Sequence, residues 1–184
     1  MSYLLKRRSF QRLFCNWAVD ISSIFLCLLL LPTRLPGMEI LGIGPNWLLI
    51  WLVSWSLKKK LWQGAIAGVI LGLLQDSMTR AISTPIITHP SHALGLGLVG
   101  ALTAALHKQR YIKEELISVA FIVFVMTGIA EAAMAIQFSL IQINLVAEIW
   151  KDYQRIALCS AVLSSLWTPV LYLPLSLGWQ MTKN

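Results

Sequence analysis

Three carboxylates, Asp20, Asp76 and Glu131, sit inside apolar runs, where an ionisable group is a functional candidate by default. The chemistry open to them is proton or cation transfer, or hydrogen bonding to a helix end, a serine or a partner protein. No lysine, arginine or histidine lies mid-run to complete a relay, which favours the structural or partner-docking use. His89-Pro90-Ser91-His92 is the one histidine cluster. Two imidazoles three residues apart could share a metal, but the proline disturbs the helix that would align them and no third ligand is close in sequence. Cys15, Cys27 and Cys159 are odd in number and lie in or beside apolar runs, with neither zinc spacing nor a disulfide framework. They read as small packing residues. No nucleophile elbow, P-loop, HExxH or dinucleotide fingerprint occurs, so neither an enzyme nor a cofactor is expected.

Membrane helices carry these acids. Hydrophobic residues make up 57% of the 184-residue chain and charged residues 12%, about half the usual charged share of a globular domain. The net charge of +7 falls in short blocks between apolar runs, without the basic stripe that nucleic-acid binding requires. A single integral membrane domain over residues 1–184 is expected, all-α and polytopic, with six transmembrane helices near 14–31, 44–57, 61–76, 91–106, 116–136 and 156–177. The first run follows Lys6, Arg7, Arg8 and Arg12. It is longer than a signal-peptide core and lacks a small-x-small cleavage site, so it reads as a retained helix. The second and third runs are short. As one re-entrant hairpin they would bury Lys58, Lys59 and Lys60 near mid-bilayer, at roughly 2.5–3.5 kcal/mol each. Two separate crossings avoid that cost.

Basic residues fix the expected orientation. With the N-terminus inside, eleven lie on the cytoplasmic side (Lys6, Arg7, Arg8, Arg12, Lys58, Lys59, Lys60, Lys108, Arg110, Lys113, Lys183) and four outside (Arg34, Arg80, Lys151, Arg155). Both termini are therefore expected in the cytoplasm. Asp76 and Glu131 then lie toward the outer side and Asp20 toward the inner. The outer loops, Ser77–Pro90 and Gln137–Arg155, are too short to fold alone.

Small residues mark the faces on which such helices pack. Gly64, Gly68 and Gly72 form a four-residue stripe that Asp76 continues, so Asp76 is expected to face protein. Ala93, Gly97, Ala101 and Ala105 form a matching stripe on the next helix. Polar stripes recur at Asn16, Asp20, Ser23 and Cys27, at Thr127, Gly128, Glu131 and Ala135, and at Ser160, Ser164 and Thr168. Pro169 and Pro174 should bend the end of the last helix. Trp47, Trp51 and Trp55 share one face, read first as lipid contact with interfacial anchoring and otherwise as a docking surface for another helix.

At Pro45, Asn46 and Trp47, the aliphatic and aromatic run through Trp55, and Gly64, Gly68, Gly72, Leu73, Leu74, Gln75 and Asp76, the chain resembles the rod shape-determining MreD family. The resemblance implies that Pro45 starts the second helix and that Asp76 is the family carboxylate ending the third. Asn46 stands where the family commonly has an acid, so no charge-based role carries over there. The segment from Asp76 to Leu94 and Gly95 is longer than usual. The resemblance also implies a fold similar to the substrate-binding subunits of energy-coupling-factor transporters.

Functionally, the resemblance implies a non-enzymatic scaffold of the cell-wall elongation complex in the bacterial inner membrane. Its partners would be the bilayer and a membrane-anchored MreC-like protein and, through that, MreB, RodA and a penicillin-binding transpeptidase. The rival reading is the substrate-binding subunit of a vitamin-like transporter. That rival requires a polar cavity open to the outer side and a docking stripe of alanines on the first helix; the sequence offers neither.

Overall fold

The computed structural model describes residues 17–33, 38–79, 90–106, 115–141 and 146–181. The basic N-terminal block, Cys15, Asn16, His89, Arg80 and most of the expected 77–90 loop lie outside the described residues. Six helices run through the rest: α1 (Trp17–Leu30), α2 (Trp47–Ser56), α3 (Leu61–Thr79), α4 (His92–Leu106), α5 (Leu116–Ile141) and α6 (Val146–Met181). Two stretches, Leu116–Ile141 and Ile149–Trp179, are long and apolar enough to cross a bilayer.

The bundle is apolar on its surface as well as in its core, unlike a water-soluble one. On α6, Ser160, Ser164 and Thr168 are buried, while Leu158, Val162, Leu166, Val170 and Leu173 are exposed. In water that outer stripe would be a large aggregation-prone patch. In a bilayer it is ordinary lipid contact, and two of the buried threonines bond within their own helices. Thr168 Oγ1 donates to the Ser164 carbonyl at 2.7 Å and Thr127 Oγ1 to the Val123 carbonyl at 2.8 Å. These bonds back onto the preceding turn satisfy buried hydroxyls within one helix.

Helix α2 is the centre of the bundle. Nine of its ten residues are buried, and it packs against α3, α4, α5 and α6. This corrects the reading of the Trp47, Trp51 and Trp55 face. Trp47 and Trp51 are 4% and 2% exposed, so those two rings are packed inside the protein, while Trp55 is half-buried. Trp47 packs edge-on against Trp167 of α6, ring centroids 5.7 Å apart. Trp51 Nε1 donates to Ser23 Oγ of α1 at 2.7 Å. The one-turn spacing of the tryptophans is therefore largely a core pattern in a helix that is apolar all round.

With ten residues α2 rises only about 15 Å, half of a ~30 Å hydrocarbon core, so the helix alone does not cross. Its start is fixed by Asn46, whose side chain accepts from the Leu49 N–H at 3.1 Å and whose own N–H donates to Ser164 Oγ at 3.0 Å. Pro45 thus precedes the cap, and the helix begins two residues later than the resemblance implied. Before it, Ile40 and Ile43 exchange two backbone bonds of 3.0 Å around Leu41 and Gly42, both at positive φ, the geometry of a tight hairpin turn.

The expected outer loop over 137–155 is another correction. Helix α5 continues to Ile141 and α6 begins at Val146, so most of that stretch is helical. Lys151, Asp152 and Arg155 interrupt the hydropathy but not the helix, because they are exposed. Tyr153 between them turns inward and packs against Phe138 of α5. Helix α6 runs through Pro169 and Pro174.

Candidate functional site

Helices α3 and α4 lie against each other at backbone distance. A methyl group added at Gly64 would collide with the Gly100 carbonyl, one at Gly68 with the Leu96 carbonyl, and one at Gly72 with the Ala93 backbone. Gly97 meets the Val69 side chain. Ala101, assigned to this face from its spacing, is instead only half-buried, and Gly100 and Ala104 stand opposite Gly64. The reason is helical drift. At 3.6 residues per turn a strict four-residue step rotates by roughly 40°, so the α4 face runs Ala93, Leu96, Gly97, Gly100, Ala104. Gly95 points the other way, toward the Ala130 carbonyl of α5. Gly128 meets nothing within 4 Å.

Asp76 ends this seam, 4% exposed, and closes the start of α4. Its Oδ1 accepts from the His92 backbone N–H at 3.1 Å and lies 2.6 Å from His92 Nδ1. Its Oδ2 accepts from Ser91 Oγ at 2.6 Å. Ser91 is the N-cap of α4, and its Oγ also takes the Ala93 N–H at 3.2 Å. A carboxylate here satisfies an orphan helix donor and faces the positive end of the α4 dipole. From α5, Gln137 clasps the same residue: its Oε1 accepts from the Ser91 N–H at 3.0 Å and its Nε2 donates to the Ser91 carbonyl at 3.2 Å. Glu131 lies in electrostatic reach of His92 and of Tyr153. Helices α3 and α5 thus converge on the start of α4.

Asp20 occupies the other end of the bundle. Its Oδ2 accepts from Trp55 Nε1 at 3.1 Å and its Oδ1 from Trp179 Nε1 at 2.9 Å. One acid ties α1, α2 and α6. The Lys58 and Lys59 ammoniums stand over the Trp179 and Trp55 rings, 5.5 and 4.6 Å from the centroids.

The chemistry of the Asp76 cluster is that of a clasp. Ser91 Oγ donates to the carboxylate and not to the imidazole, so no nucleophile is paired with a base. Among the described residues no three metal-ligating side chains converge. Cys27 is buried and Cys159 half-buried, neither in a disulfide.

A family model described as rod shape-determining protein MreD matches residues 11–177. The chain belongs to the MreD family. Members of this family are non-enzymatic, polytopic membrane proteins of rod-shape determination, and the match takes in both carboxylate clusters. No curated protein and no solved structure matches the chain, so the implied likeness to energy-coupling-factor subunits gains no support.

Sequence reasoning singled out Asp76, Glu131 and Asp20 but missed most of their partners. Ser91 and His92 were weighed only as part of a metal motif. The signal that would have found them is the start of an apolar helix just after Pro90, where a serine caps and a carboxylate elsewhere can close the end. Gln137 and the pairing of Trp55 and Trp179 with Asp20 carry no local signal, since they join residues 46, 35 and 159 positions apart.

Proposed function

We propose that this chain is the multi-pass scaffold of a cell-wall elongation complex in the bacterial inner membrane. It binds an MreC-like membrane protein and, through it, MreB, RodA and a penicillin-binding transpeptidase, and so supports lateral peptidoglycan synthesis. The family match is the observation that supports this most. The geometry agrees with it: Asp76 and Asp20 each hold helices together, and wide apolar faces on α3, α5 and α6 remain for lipid or partner helices.

The chain is one integral membrane domain in this reading. The α1–α2 hairpin, with residues 38–46, makes the first two passes and α3 to α6 the other four. Asp20, Trp55 and Trp179 meet at one end, so the start of α1 and the end of α6 share a side. The triple lysine at 58–60 supports a cytoplasmic position for that side. Affinity purification from membranes, with mass spectrometry of what comes along, tests the scaffold. An MreC-like protein at near-stoichiometric yield is expected; its absence from intact, well-expressed preparations would count against the proposal. For orientation, Lys59→Cys should resist an impermeant thiol reagent added outside cells.

A further inference from the structure

We infer that the groove between α1 and α3 is a binding site for an anionic phospholipid of the leaflet at the Lys58 end. The groove holds about 710 Å³, within the roughly 300–1,000 Å³ range of sites that bury a whole small-molecule ligand. Its walls are Ile21 and Ile24 of α1 and Ile66 and Ile70 of α3, and its mouth carries Lys58 and Lys59. Long apolar walls under paired ammoniums are the chemistry of an acyl chain beneath a phosphate.

Length separates a lipid from a protein helix. Along α3 the lining runs from Trp62 to Leu71, nine residue steps or roughly 14 Å. That is close to one leaflet of a ~30 Å hydrocarbon core. A transmembrane helix needs a groove twice as long. The mouth also bears the marks of the membrane interface. Trp17 and Trp62 line it and are 63% and 58% exposed, as in the aromatic belt at headgroup level.

Charge completes the fit. One carboxylate, Asp20, lines the groove too, each oxygen accepting an indole N–H, against the two lysines at the mouth. The Trp55 ring holds the Lys59 ammonium at the rim, 4.6 Å from its centroid. Cation–π contact leaves ammonium hydrogens directed away from the ring. An anionic headgroup above Lys59 would accept them, with Lys58 adding positive charge beside it, while its chain descends between Ile24 and Ile70.

Native mass spectrometry of the purified full-length protein, with phosphatidylglycerol or phosphatidylethanolamine of the same acyl chains, is the test. Phosphatidylglycerol should be retained in clear preference, about five-fold for each lysine engaged. Lys59→Gln should lower the preference by about that factor and the Lys58→Gln, Lys59→Gln double variant should abolish it. Ile66→Trp, at an exposed position that does not disturb the core, should block the groove and reduce both lipids. Millimolar inorganic phosphate should leave bound phosphatidylglycerol in place. Equal retention of the two lipids, an unchanged preference in the double variant, or displacement by phosphate alone would overturn the assignment. So would a photocrosslinker at position 66 that captures a protein helix in membranes instead of lipid.

Discussion

Asp76 and Asp20 are both clasped acids at helix ends, yet their neighbours differ in a way that decides how each tolerates change. Asp76 faces a serine hydroxyl, an imidazole and one backbone N–H. The first two can exchange donor and acceptor roles. Asp20 faces two indole N–H groups, which can only donate. The surroundings differ as well. Around Asp76 the helices meet backbone to backbone through glycine, and around Asp20 they are spaced by tryptophan. In an apolar medium a seam of small residues gains its stability from close approach, while an aromatic corner gains it from large side chains whose polar tips are satisfied.

The glycine seam is the more fragile of the two regions. Gly68→Leu drives a side chain into the Leu96 carbonyl, where backbone cannot step aside, so the cost should exceed the ~1–3 kcal/mol of ordinary overpacking. Membrane levels should fall sharply, while Ile66→Leu, at a lipid-facing position, should leave them unchanged. Immunoblotting of membranes reads both. Normal abundance and normal partner recovery for Gly68→Leu would show that α3 and α4 do not meet as described.

Next in size is Asp76→Leu. It removes the acceptor from the start of α4 and strands buried donors, at about 1–3 kcal/mol for each left unsatisfied. The thermal midpoint of the purified protein should drop well below that of Asp76→Asn. A smaller effect sharpens the contrast. Asparagine offers one carbonyl oxygen where Asp20 uses two, and an indole cannot reverse its role. Asp20→Asn should therefore cost about 1 kcal/mol more than Asp76→Asn. Equal midpoints for the two variants would remove the distinction between the clusters. The smallest effect belongs to Trp179→Phe, which keeps a ring beneath Lys58 and deletes one N–H donor. A loss of about 0.5–1.5 kcal/mol is expected, less than that of Trp179→Ala in the same melting series.

How much of this was visible in the sequence depends on range. Helix positions follow from hydropathy, because six apolar runs separated by polar or proline-containing breaks leave few alternatives. The spacing of Gly64, Gly68, Gly72 and Asp76 is plain in the sequence, but the face they meet is not, since a four-residue step drifts around a real helix and Gly100 replaces Ala101. The charged start of α6 was hidden because Lys151, Asp152 and Arg155 lower hydropathy without opposing helix formation. The tryptophans of α2 were misread for a different reason. In a membrane protein an apolar face is as often buried as lipid-facing, and only neighbours distant in sequence, such as Trp167 and Ser23, decide which. The indole bonds to Asp20 belong to that same class of long-range fact.

The claim that Asp76 serves helix closure and partner assembly rather than transport is tested most directly in cells. A rod-shaped strain lacking the protein is complemented with Asp76→Asn or Asp76→Leu, and cell shape and protein level are measured together. Asparagine keeps the shape of the side chain, can accept the His92 N–H, and can donate to Ser91 once that hydroxyl reverses its role. Rod shape and recovery of the MreC-like partner should therefore persist with asparagine and fail with leucine. Equal failure of both variants at wild-type protein levels would contradict the claim, because it would mean that the charge itself performs the function.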